Sequence, residues 1–203
     1  MIHITVFLCG AVVMSFEILG SRVLAPNFGS SVFVWGSLIG VFMAGLSAGY
    51  WLGGRWADAT VSSRRLGAMI LLPAFLFITF PLYSLIISDS VFDLDLGVRS
   101  GPFLASLCLF FLPSVFLGAV SPYAARLTIC SVHTSGSTVG SLYALSTLGS
   151  IAGTLLTSFY LITVAGVQSL IMAQGVLLLF SALPLILMNE SCPSGRRDRN
   201  DGS

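Results

Sequence analysis

The stretch Phe16-Glu17-Ile18-Leu19-Gly20-Ser21-Arg22-Val23-Leu24-Ala25-Pro26 sets a carboxyl group and a guanidinium five residues apart inside a run of apolar side chains. A carboxyl group in such surroundings can hold a helix by accepting hydrogen bonds, bind a cation, or carry a proton. At 100° per residue the separation turns Arg22 about 140° from Glu17, so the two do not stack as an i, i+4 pair would. Ser21, four residues after Glu17, shares its face, and Gly20 and Pro26 are the residues able to loosen the turn. The partner of Glu17 is expected on another helix. Tyr123, Arg126 and Tyr143 are the candidates, provided packing brings them to its depth. Structural, solute-binding or proton-coupled, and incidental readings of Glu17 all stay open at this level.

Other chemistry is sparse. No GxxxxGK[ST], GxGxxG or HExxH occurs, and the histidines are His3 and His133, so no catalytic residue and no enzymatic activity are expected. Gly45-Leu46-Ser47-Ala48-Gly49 spells GxSxG, but that pattern activates serine only on a strained strand-to-helix turn with histidine in reach. Here it lies inside a long apolar run. The four cysteines, Cys9, Cys108, Cys130 and Cys192, stand singly with no metal-ligand spacing, so they read as small apolar side chains. No metal and no cofactor are expected. Asn189 and Ser191 fit a glycosylation sequon, which carries no weight on the cytoplasmic side where it is expected.

The elements that must position Glu17 follow from composition. With 56% hydrophobic and 8% charged residues over 203 positions, and a mean hydropathy of +0.97, there is too little charge to cover a water-facing surface. Six stretches reach the length of about 20 apolar residues that a spanning helix needs: Ile2 to Leu24, Val32 to Gly53, Leu66 to Ile87, Pro102 to Leu127, Ser137 to Thr163 and Val167 to Met188. They are too long and too unalternating for barrel strands, so the expected fold is an all-α bundle of six transmembrane helices over residues 1–189. Residues 190–203 read as a short, disordered cytoplasmic tail. The first run lacks a basic flank and is too long for a signal peptide, and is read as retained.

All nine basic side chains are arginine. Arg55, Arg64, Arg65, Arg126, Arg196, Arg197 and Arg199 fall on one side of the bundle, Arg22 and Arg99 on the other beside Asp89, Asp93 and Asp95. By the positive-inside rule both termini are expected in the cytoplasm, with the chain crossing the inner (plasma) membrane. A net charge of +1 gives no surface for nucleic acid. Membrane lipid is the expected contact, and lipid headgroups are one possible role for the basic tail.

Glycines at spacing four let membrane helices approach closely. Gly36, Gly40, Gly45, Gly49 and Gly53 in the second run, and Gly140, Gly149 and Gly153 in the fifth, are expected at the tightest contacts, within the bundle or against a second subunit. Sliding the chain by about 104 positions superposes Arg22 on Arg126, Gly36-Ser37-Leu38 on Gly140-Ser141-Leu142, Gly45 on Gly149 and Gly49 on Gly153. Three helices per copy is an odd number, so the copies would cross the membrane in opposite senses, the inverted-repeat plan of many transporters. Glu17 has no carboxyl counterpart there, because Ser121 stands opposite.

The connection from Gly53 to Arg65 carries Asp58, Arg64 and Arg65 and resembles the charged loop of the major facilitator superfamily, where such groups latch two helices; the glycine that commonly follows the aspartate is missing. The longer strings FEILGSRVLAPNFGSSVFVWGSLIG, AGLSAGYWLGGRWAD, LPSVFLGAVSPYAARL and GSLYALSTLGSIAGTLLTSF resemble the membrane region of the transmembrane spermidine synthase-like proteins, fusions of a facilitator-like half with an aminopropyltransferase-like domain. The resemblance implies a half-transporter bundle and, by name only, a polyamine-like solute. It implies no transferase chemistry in these 203 residues, which hold no glycine-rich nucleotide loop after the sixth run. Two functions are expected to compete. One is a transporter-like half handling a small polar or cationic solute, completed as a homodimer or with another subunit. The other is a non-transporting anchor or scaffold for a separately encoded soluble spermidine synthase-like or other protein.

Overall fold

The structure, a computed structural model, describes residues 1–59, 61–129 and 135–187, and every regular element among them is helical. The elements are α1 (Ile2–Phe28), α2 (Val32–Ala59), α3 (Ser63–Asp93), α4 (Gly97–Thr128), α5 and α6 (Val167–Leu187). Helix α5 is α-helical over Ser135–Leu156, passes through a π-helical turn at Thr157–Leu161, and ends at Ile162–Val164. All six are long and apolar enough to cross a membrane, which makes the chain a multi-pass helical membrane protein. Most outrun the apolar stretches that mark them, α3 by about one turn at its start and nearly two at its end. Hydropathy marks the part of a helix that sits in hydrocarbon, whereas backbone hydrogen bonding continues into the interface. The polar tail, with Asn189, Ser191, Cys192, Arg196, Arg197 and Arg199, lies outside the described residues, as do Cys130 and His133.

Close backbone approach organises the bundle. Along the seam of α2 with α4, a Cβ on Gly45 would sit 2.8 Å from the Cβ of Ser114, one on Gly49 would fall on the carbonyl of Val115, and one on Gly53 on that of Ala119. Along α5 and α1, a Cβ on Gly149 would meet the Phe7 carbonyl and one on Gly153 that of Ala11. Both pairs run parallel. The third seam is antiparallel: Gly67 of α3 lies against Ala182 and Ile186 of α6, and Gly175 of α6 against Ala74 and Ile78 of α3. Helices α1 and α4 occupy the centre and also touch α6 and α3, while α2 and α5 flank them without comparable contact to the α3–α6 pair. One broad face, made by α1 and α4 between α2 and α5, is thus left uncovered by the other described helices.

Gly36 and Gly40 do not take part: a Cβ on either, as on Gly140, would meet nothing within 4 Å. Nine residues separate Gly36 from Gly45, a rotation of about 180°, so a helix that turns Gly45, Gly49 and Gly53 toward α4 turns Gly36 outward. Conversely Gly10, Gly67, Gly118 and Gly175, not singled out by spacing, sit at backbone contacts.

An aromatic knot fills the centre. Phe16 of α1 contacts Phe42 of α2, Phe77 and Phe80 of α3, and Phe110 of α4, at ring-centroid distances of 4.2 to 5.8 Å. Outside, Phe75, Leu82, Ile86 and Phe180 stand exposed, as suits surfaces solvated by lipid. Because lipid tails are as apolar as these side chains, the knot stabilises by contact density rather than by escape from water.

Candidate functional site

Phe16 fixes the rotation of α1, since its ring is fully buried among four others. Its neighbour Glu17 is turned about 100° away and is half-buried. Its carboxyl group makes no hydrogen bond or ion pair with any described residue; Ser21, on its face, donates instead to the Ile18 carbonyl at 2.8 Å. Helix α1 stays regular through Pro26 to Phe28, and Arg22 is exposed and does not pair with Glu17. Arg22 edges an open groove of about 630 Å³ with Ser21, Ser30, Trp35 and Val167.

None of the partners expected for Glu17 reaches it, and depth is the reason. Tyr123 is fully buried, accepting from the Ser62 N–H at 3.1 Å and donating to the Ser62 carbonyl at 3.4 Å. Arg126 Nε lies 3.9 Å from Asp58 Oδ1. Both sit within two turns of the end of α4, about 10 Å or less along the axis, whereas Glu17 is about 22 Å along α1 from that same end of the bundle. Tyr143 stands 48% exposed on α5, also well short of that depth.

The charge latch also has another composition than expected. Asp58 reaches across to Arg126 of α4, not to Arg64 or Arg65. The tight α2–α4 seam carries the end of α2 onto α4, while Arg64 and Arg65 belong to the first turn of α3. Arg64 Nε donates to the Ile186 carbonyl of α6 at 3.3 Å, and Arg65 is exposed. Both partners of the ion pair face solvent (52% and 78% exposed), so the pair adds at most about 1 kcal/mol. Ser47 of the GxSxG string is exposed in mid-α2, and its two glycines serve the α4 seam.

On the open face a cavity of about 90 Å³ lies where α1, α2, α4 and α5 meet, bounded by Cys9, Gly10, Tyr50, Ser121, Ser146 and Ser150 among others. Such a volume holds a few waters. Ser150 donates to the Gly10 carbonyl at 3.2 Å and to that of Ser146 at 3.1 Å. Glu17 follows Gly10 by seven residues and Met14 by three, so α1 presents it on the cavity's side, about one turn beyond its wall. Hydroxyls and a carboxyl group on one open face form an oxygen-rich strip suited to a proton or a small cation rather than to an anion.

A second polar junction, which no spacing in the sequence marks, joins three helices. Ser15 of α1 is hydrogen-bonded to Thr157 of α5 and receives Gln174 Nε2 of α6 at 2.6 Å, all three buried. Gln174 Oε1 has no partner among the described residues. The π turn of α5 begins at Thr157, where this junction grips the helix. The legible signal was three polar side chains in otherwise apolar runs.

No protein-family model, curated protein or solved structure matches the chain.

Proposed function

We propose that this chain is a transporter-like six-helix half built from two inverted three-helix repeats, whose open face carries Glu17 as the solute- or proton-binding group and is completed by a second copy. The observation that carries this reading is a correspondence between the two parallel seams. Gly45 meets the carbonyl of Phe111 and Gly149 that of Phe7; Gly49 meets Val115 and Gly153 meets Ala11; Gly53 meets Ala119 and Thr157 bonds Ser15. Adding 104 to the α2 residue and subtracting 104 from the α4 residue turns each of these three contacts of the first seam into its counterpart in the second. Glycines recurring by chance would not bring the same partners with them. Two units related this way about an axis in the membrane plane are the usual frame of secondary transporters, with the site near mid-membrane between them.

Glu17 and Ser121 are equivalent positions in this frame, and only one carries a carboxyl group. An ionisable side chain inside a span costs about 2.5 to 3.5 kcal/mol on insertion scales, so one left without a partner in the bundle is a functional candidate by default. The resemblance to the membrane region of spermidine synthase-like fusions rests on the strings quoted above and suggests an organic cation as solute.

The scaffold reading draws on the outer side of α5, which exposes Leu148, Ile151, Leu155 and Phe159, a surface that another protein could cover. Proteoliposomes separate the two. Uptake of labelled mono- and diamines, measured beside a neutral sugar and an organic anion, should be saturable for at least one amine under the transport reading. If every solute leaks as in protein-free vesicles, the scaffold reading stands instead.

A further inference from the structure

At the arginine-rich end, α2 and α3 diverge and leave a groove of about 320 Å³ floored by α4. Trp56 of α2 forms one wall, Ala68 and Leu72 of α3 the other, Phe116 and Tyr123 of α4 the floor, and Arg65 stands at the mouth. From Arg65 to Leu72 the groove runs about 10 Å along α3, the length of a chain of eight methylene groups. The walls offer an extended chain only apolar contact: the Tyr123 hydroxyl is already bonded to the Ser62 backbone, and Trp56 packs on Phe116 at 6.1 Å. At the same end of the bundle Arg55 lies over the Trp51 ring, Arg64 donates to the Ile186 carbonyl and Arg126 pairs with Asp58, so among the described residues there arginines outnumber carboxylates.

We propose that this groove binds one anionic glycerophospholipid, with an acyl chain between Trp56 and Leu72 and the phosphate on the Arg65 guanidinium. Arg65 makes no side-chain hydrogen bond or ion pair with any described residue, so its donors are free for a phosphate oxygen pair. Tryptophan beside arginine at the boundary of the hydrocarbon is the composition that headgroup sites between spanning helices use. The groove at the opposite end is a built-in contrast. It is of similar size, about 340 Å³, but Asp95 borders it and Asp89 accepts from Asn27 nearby, so its mouth repels an anionic headgroup.

The test is a lipid titration of the full chain purified in detergent, read by native mass spectrometry and by thermal shift, with dioleoylphosphatidylglycerol against dioleoylphosphatidylcholine. The glycerol lipid should remain bound with one per chain and raise Tm more than the choline lipid. Arg65→Gln should weaken it about fivefold, the loss expected for one headgroup cation. Arg65→Lys should retain most of the affinity, and Ala68→Phe, which fills the groove from an exposed position, should abolish it with circular dichroism unchanged. Equal binding of the two lipids, or a glycerol-lipid preference that survives both Arg65→Gln and Ala68→Phe, overturns the proposal. So does an equal shift from sn-glycerol 1-phosphate alone, which would mark a site for free phosphate rather than for a lipid.

Discussion

Phe16 and Glu17 are adjacent in the chain and opposite in environment, one locked among four rings and the other unpaired at the edge of an open face. The first sets the angle at which α1 offers the second. Phe16→Ala should therefore destabilise the bundle by about 3 kcal/mol, the low end for a buried phenylalanine because lipid removes the transfer term and leaves the cavity term. Unfolding by SDS titration in mixed micelles reads that loss. Glu17→Gln should leave the same unfolding curve within about 0.5 kcal/mol, since no contact of the bundle is lost. A loss above about 2 kcal/mol would assign Glu17 a structural bond instead. The anomaly of Glu17 was legible in the sequence because one carboxyl group in an apolar run is conspicuous. Its lack of a partner was not, because Tyr123, Arg126 and Tyr143 could be matched to its depth only once the helix ends were known.

For the elements, length and hydropathy located six helices, and the failures are informative about phase. Gly36 and Gly40 share the glycine spacing of α2 but lie about 180° and 140° from Gly45, so spacing four alone did not say which glycines face α4. Gly49→Leu and Gly153→Leu should abolish the folded yield, because a side chain there displaces the backbone of α4 or α1. Gly36→Ala and Gly40→Ala should be neutral or stabilising by up to about 1 kcal/mol, since neither position is crowded and alanine favours helix. Monodispersity on size exclusion distinguishes these outcomes. The Ser15–Thr157–Gln174 junction is a different kind of element contact, and Ser15→Ala should cost about 1 kcal/mol, between the average of about 0.6 and the maximum of about 1.7 for interhelical hydrogen bonds in membranes. No periodicity announced the π turn, because a π bulge answers to a partner on another helix rather than to local sequence.

On the scale of the whole molecule, a face bounded by α2 and α5 and carrying Tyr50, Tyr143 and Glu17 is a poor surface for lipid and a good one for a second copy or for water. Single cysteines at Gly40 and Ala144, equivalent positions in the two repeats and both exposed, should cross-link between copies in native membranes if the face is closed by a homodimer. Cross-linking confined to other proteins would favour the scaffold reading. In the proposed function Glu17 meets solute rather than structure. The most direct test of that role is labelling of wild-type protein in liposomes with dicyclohexylcarbodiimide, which modifies protonated carboxyl groups in apolar surroundings, with mass spectrometric readout at Glu17. Glu17 should be modified in the folded protein, with dose-dependent protection by the amine that the vesicles take up. Modification that appears only after denaturation, or that no amine of the panel protects against, would contradict that role.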